Sequence, residues 1–305
     1  MHKFKILIGF LLSITFYTNV SAQSDTTLIS SYLKTLTKTP QFRNHDNIDQ
    51  LNLTADYITT IFKKSSDSVY TQEFTFDQKT YKNIICSFGT ENKKRIIVGA
   101  HYDVCGDQEG ADDNASGVVG LLELSRLLKD KKLNYRIDLV AYTLEEPPYF
   151  RTELMGSYIH AKSLKESNAT VYGMISIEMI GYFKDEAKSQ SYPLGALSLK
   201  YGNKGNYITL VKKFGSGEFV NRFSENFKAS KNIRTKTFPG PPSLPGIDFS
   251  DHLNYWKFGY DAMMITDTSF YRNKNYHQKG DTMETLDIQR MSKVIDGIYS
   301  GIISL

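Results

Sequence analysis

Cysteine is nearly missing from this chain: Cys86 and Cys105 are the only two in 305 residues. That excludes a disulfide-stapled scaffold, so a hydrophobic core has to hold the fold, and both thiols are expected to be free. Dense clusters of Lys or Arg are missing as well. The formal net charge of +4 is small and spread along the chain, which speaks against nucleic acid as a partner. No apolar run is long enough to favour a permanent membrane span, and there is no internal repeat or low-complexity tract. What is present is ordinary for a globular protein, 40% apolar and 23% charged residues, and the length suffices for one large core.

Residues 1–22 read as a secretory signal. Lys3 and Lys5 precede the apolar run Ile6 to Phe16, and Val20, Ser21 and Ala22 offer small residues for cleavage before Gln23. No cysteine lies near that point, so no lipid anchor is expected there. The expectation is a single domain over residues 23–305, periplasmic or secreted, with no stable membrane association after cleavage. Removing Lys3 and Lys5 lowers its formal charge to +2. The sequence carries no signal of oligomeric state.

Periodicity predicts helices over residues 26–36 and 48–63, then strands over 69–76 and 81–88, all scaffold. The second of these strands, carrying Cys86, is expected to hairpin with the apolar run 95–99. From there helix and strand alternate: helix 118–128 with Ser116 as its cap, strand 135–143, helix 156–164 and strand 171–179. Such alternation implies a three-layer α/β/α fold, a mixed and mostly parallel twisted sheet flanked by helices. Residues 184–205 read as a long surface loop, and 238–246 (FPGPPSLPG) as a rigid loop without regular structure. Strands 207–211 and 261–266, a helix over 219–229, a helix opening at Ser250-Asp251-His252 and a closing helix over 286–303 complete the chain.

The strands end in polar residues suited to chemistry. Strand 95–99 runs into His101 and Asp103, followed by a loop, Asp112-Asp113-Asn114 and a helix start, which is how open α/β sheets build sites beyond the carboxyl ends of their strands. His101 and Asp113 are therefore candidate metal ligands. Glu145 and Glu146, adjacent at the end of the next strand, repel each other unless a cation lies beside them. Glu178, within Ile177-Glu178-Met179-Ile180, is expensive to bury unless paired or coordinated. His2, His45 and His160 read as structural, Asp112 as a loop acid, Asp251 as a helix cap, and Glu123, Lys129 and Glu153 as solvated charges.

The ordered set His101-Tyr102-Asp103, G-x-x-D-N-x-S-G at Gly110 to Gly117, Glu145-Glu146, Glu178-Met179-Ile180-Gly181, Ser250-Asp251-His252 and Y-H-x-x-x-D-T at Tyr276 to Thr282 resembles the zinc-dependent aminopeptidase family, peptidase family M28. The likeness covers roughly residues 40–300. It implies a metallo-exopeptidase that removes N-terminal residues from peptide substrates. Two zinc ions would share Asp113, with Glu146 and His277 completing one protein shell and His101 and Glu178 the other. Asp103 matches the residue that orients His101. Glu145 matches the general base acting on a metal-bridging water, and Tyr276 a tyrosine near the developing oxyanion. The resemblance also implies a cis peptide bond between Asp113 and Asn114. Family members commonly carry Asp where this chain has Glu178, which leaves the second ion's shell open to a mononuclear alternative. Related glutaminyl cyclases, single-zinc acyltransferases, and non-catalytic binding relatives are the competing readings. The intact His101 and Glu178 argue against the first, and the complete set of five ligand positions against the second.

Overall fold

Alternating or continuous apolar runs set the strands of the chain, whose computed structural model describes residues 23–305. The expected export signal, residues 1–22, lies outside the described residues. The strands are β1 (Ser68–Phe76), β2 (Lys79–Phe88), β3 (Arg95–His101), β4 (Arg136–Tyr142), β5 (Val171–Glu178), β6 (Ile208–Lys213), β7 (Thr235–Gly240) and β8 (Ala262–Thr266). They pair into one sheet in the order β1-β2-β4-β3-β5-β8-β6-β7. Neighbours from β4 through β3 and β5 to β8 run parallel, as do β6 and β7; β1-β2, β2-β4 and β6-β8 are antiparallel.

The period of two decides which residues meet which layer. Ile96, Val98 and Ala100 of β3 pack on one face with Ile137, Leu139 and Ala141 of β4. Ile97 faces the opposite side with Val140, Tyr142, Ile85 and Met174. The first face is covered by α1 (Thr26–Thr37), α2 (Ile48–Phe62), α3 (Gly117–Leu128), α6 (Glu218–Ala229) and α8 (Ile288–Ile303). The second lies under α4 (Gly156–Glu166) and α7 (His252–Lys257). A short α5 (Leu197–Tyr201) interrupts the expected surface loop over 184–205. Gly99 leaves room on the second face, where a Cβ would come within 2.2 Å of the Tyr142 ring. Among the described residues no helix is long and apolar enough to cross a membrane.

Four local expectations are corrected. β2 does not pair with β3: the β3-α3-β4 crossover carries β4 into the place beside β3, and β2 is left antiparallel to β4. Phe238, Pro239 and Gly240 are the end of β7 rather than loop. β7 is an edge strand, where a proline's missing N–H costs no ladder bond. Ser116 does not cap α3; its hydroxyl donates to Asp112 O and accepts from Ile180 N, tying two loops together. Glu123 is buried, not solvated, and holds Arg126 and the Asp25 N–H. Cys86 and Cys105 are free, as expected.

His160, on α4, is structural as expected: its Nδ1 lies 2.6 Å from the Tyr255 hydroxyl, which lies 2.6 Å from that of Tyr142. Burial pushes its pKa down to about 4 from an ordinary 6.5. Between those two values the unfolded chain takes up a proton that the folded one refuses, so the group's contribution to stability is lost as pH falls through that window. The stability advantage of the wild type over His160→Gln should therefore shrink by up to about 3 kcal/mol between pH 7 and pH 4 in urea titrations. An advantage that does not change with pH would contradict this.

Candidate metal centre

The parallel strands β4, β3, β5 and β8 end along one edge of the sheet, and each delivers a polar group there. His101 is the last residue of β3 and Glu178 the last of β5. Glu145 and Glu146 follow β4 after Leu144, whose φ of 57° turns the chain sharply. Asp113 lies in the turn between β3 and α3, and His277 in the loop beyond β8 with a φ of 56°. The peptide bond from Asp113 to Asn114 is cis.

These side chains converge. The Asp113 carboxylate is divided between two imidazoles, with Oδ1 3.3 Å from His101 Nε2 and Oδ2 3.2 Å from His277 Nε2. His277 Nε2 is also 3.0 Å from Glu146 Oε2. His101 Nε2 is 3.5 Å from Glu178 Oε2 and 3.7 Å from Glu145 Oε2. His101 Nδ1 lies 3.2 Å from the Asp103 carbonyl oxygen, which can only accept. Nδ1 is therefore the donor of that contact, and Nε2 is the ring atom that faces the carboxylates.

The frame around them is built from buried hydrogen bonds. The Asp103 carboxylate, 3.6 Å from His101 Nδ1, accepts the Glu145 and Glu146 N–H groups at 3.2 and 3.0 Å, so it positions both glutamates as well as the histidine. Asp281 does the same for the bridging loop, accepting from Asp112 N at 2.9 Å and Asp113 N at 3.0 Å. Asn114 Oδ1 accepts from Gly117 N and Met179 N, while its amide donates to Ile177 O and Glu178 Oε2. Ser250 Oγ donates to Glu178 Oε2 at 2.8 Å, anchoring the longer side chain that stands where Asp is common. Tyr276 stacks on His277 with ring centroids 3.8 Å apart.

The electrostatics of this cluster call for a cation. Burial, then the nearby Asp113 charge, pushes Glu146 up to about 8. Burial raises Glu145 well above the usual carboxylate range, with Glu146 and Glu178 adding to it against His101. Burial opposes protonation of His277, yet Asp113 and Glu146 carry it up to about 10. Asp113 is held below the usual range by the two imidazoles despite its burial. His101 Nε2, His277 Nε2, Asp113 Oδ2 and Glu146 Oε1 are buried without a hydrogen-bond partner. Unpartnered buried atoms of this kind, facing one another, fit a divalent metal that would take the place of the imidazole protons, and imidazole with carboxylate suits zinc. Donor atoms of His101, Asp113 and Glu178 lie within 4.8 Å of one another, as do those of Glu146, His277 and Cys105. The acids Asp113, Glu145, Glu146 and Glu178 match in charge two divalent ions.

All eight residues singled out in the sequence thus meet at one place. Asp281, Asn114, Ser250 and Cys105 join them without having been assigned a role, although Asn114, Asp281 and Ser250 stood inside the quoted motifs. Asp112 is not a loop acid: it is buried and accepts from Gly181 N and Asn273 Nδ2. Asp251 does not cap α7 with its side chain; it is buried beside the site, where burial pushes it up to about 7.

Comparison with known proteins bears on the family and the fold. The model of peptidase family M28 matches residues 83–300. A protein of Escherichia coli (strain K12) described as "Uncharacterized protein YfbL" is 44% identical over 273 residues, 87% of this chain and 84% of its own length. Leucine aminopeptidase 1 of Blastomyces gilchristii is 25% identical over 223 residues, 68% of this chain; the chain spans about half, 52%, of that relative. Among solved structures, the LapA aminopeptidase of Legionella pneumophila superposes with a TM-score of 0.71 at 19% identity, over 92% of this chain and 71% of the other. A glutaminyl cyclase of Bacteroides thetaiotaomicron gives 0.69 at 19% identity, over 93% and 99%. These two likenesses establish the shared fold.

Asp281 reaches the centre only through the backbone of Asp112 and Asp113, and residues in that position tune ligand geometry. Asp281→Ala should weaken zinc binding by about 10- to 100-fold in chelator competition while the circular dichroism spectrum is retained. Unchanged affinity would show that the Asp113 loop holds its position without Asp281.

Proposed function

This chain belongs to peptidase family M28, and on that premise we propose that it is a zinc-dependent aminopeptidase with two ions. His101, Asp113 and Glu178 would hold one, and Asp113, Glu146 and His277 the other. The single observation that carries this reading is the division of the Asp113 carboxylate between His101 and His277. Bound zinc supplies Lewis-acid polarisation of a carbonyl and brings the pKa of its water to about 7.

The chain's own groups account for the remaining chemistry. The Glu145 carboxylate is buried and forms no side-chain hydrogen bond among the described residues, which leaves it free to receive a proton. Its raised proton affinity suits a base that takes a proton from the attacking water and returns it to the departing amine. Burial, reinforced by Asp113 and Glu146, keeps the Tyr276 phenol protonated, as a donor to a developing oxyanion must be. Release from the amino terminus is the reading supported by the likeness to leucine aminopeptidase 1 and to the LapA aminopeptidase. The adjoining pocket is walled by aromatic side chains, among them Phe150, Phe249 and Phe270. Export to the periplasm or medium is part of the proposal, supported by Lys3, Lys5 and the apolar run that follows.

The test is hydrolysis of aminoacyl 4-nitroanilides with an N-terminal glutamine peptide alongside. The wild type should release free amino acids, and glutamine as glutamine. Glu145→Gln should lower kcat by about 10²- to 10⁴-fold with the zinc content of the wild type retained. Conversion of that N-terminal glutamine to a pyroglutamyl group, with loss of ammonia and the peptide bond intact, would establish the cyclase reading instead. Undiminished hydrolysis by Glu145→Gln would remove that residue from its role as base.

A further inference from the structure

The pocket that opens on the metal centre also reaches a cationic end. Of the Lys and Arg side chains among the described residues, Lys236 on β7 is the one that lines it, next to Tyr192, Tyr201, Tyr207 and Gln190. Its ammonium lies 3.6 Å from the centroid of the Tyr207 ring. The Arg272 guanidinium lies 4.9 Å from the same centroid. Cation–π contact on one ring holds both charges at this end of the pocket.

Among the described residues neither forms a close ion pair with an acid, although Asp267 and Asp112 act on Arg272 from farther away. Lys236 makes no ion pair or hydrogen bond among the described residues. Arg272 is 3% exposed, donates Nε to Gln190 Oε1 and Nη1 to Tyr182 O, and leaves Nη2 buried with no partner. Asp267, the carboxylate acting most strongly on Arg272, already accepts the Tyr182 and Ser269 N–H groups. Arg234 adds a third positive charge, its guanidinium bonded to the neutral Asn206 amide. Burial, then Arg234 and Arg272, pushes the Lys236 ammonium down to about 8, so the charges repel one another and remain mostly protonated at neutral pH. An ammonium without an ion-pair partner, crowded by two guanidinium groups at the end of an aromatic pocket, is an arrangement that an anion completes.

We propose that this end of the pocket is a carboxylate subsite in which Lys236 contacts the substrate's carboxylate and Arg272 orders the wall behind it. The proposal rests on the aminopeptidase reading and narrows it to peptides bearing an acidic group near the cleaved bond. That group is either the side chain of an N-terminal Glu or Asp or the terminal carboxylate of a short peptide. The aromatic walls bury the carbon skeleton, and the cationic end selects the acid.

Two substrate pairs separate the sources: glutamyl against glutaminyl 4-nitroanilide for the side chain, and leucyl-leucine against its C-terminal amide for the terminus. The wild type should favour the acid in one pair by at least about tenfold in kcat/KM. Lys236→Met should bring that ratio close to one, and Lys236→Arg should restore it. Calorimetric binding of 4-phenylbutyrate against 4-phenylbutyramide to the zinc-loaded protein reads the subsite without turnover. Tighter binding of the acid should depend on Lys236, whereas carboxylate binding through the metal centre would not. If no substrate is hydrolysed but that dependence is found, the aminopeptidase reading falls and the subsite stands. Equal ratios in both pairs, or a binding preference indifferent to Lys236, would overturn the subsite.

Discussion

The structure turns on one carboxylate shared between two imidazoles. Asp113 is buried, and its oxygens face His101 on one side and His277 on the other. Burying Glu145, Glu146 and Glu178 around it would be prohibitive for the protein alone, since each acid raises the cost of ionising the next. The raised proton affinities of Glu145, Glu146 and His277 express that conflict, and divalent cations would resolve it. Much of the surrounding hydrogen bonding serves to keep these groups facing one another.

That task explains features that would otherwise be costly. Leu144, Met179 and His277 all have positive φ near 50–57°, unfavourable for side-chain-bearing residues; Leu144 adjoins the proposed base, Met179 adjoins a proposed ligand and His277 is one. Asp103 and Asp281 are two further buried acids, and their oxygens accept backbone N–H groups, which is how buried polar atoms are satisfied away from water. The sheet contributes position: parallel β4, β3, β5 and β8 end together, so residues far apart in sequence arrive at one edge.

Much of this was legible in the sequence, for identifiable reasons. Strand periodicity located β3, β4 and β5, and an acid or histidine at the end of each marked the sheet edge. His277 lies in a loop without periodicity, and only its resemblance to a family motif assigned it. The supporting contacts were hidden because they join distant segments: Asp281 is 168 residues from the Asp113 amide it holds. Local reading erred where tertiary pairing overrides neighbourhood. β4 displaced β2 from β3, and an edge position allowed Pro239 into a strand. Glu123, Asp112 and Asp251 looked solvated or local because burial is not a property of short sequence.

The account depends on Asp113 serving two ions at once. The most direct test is the zinc content of the purified, dialysed chain by inductively coupled plasma mass spectrometry, for the wild type and for Glu178→Ala. Two ions per wild-type chain and one in the variant are predicted. One or none in the wild type would contradict a shared carboxylate at the centre of the site.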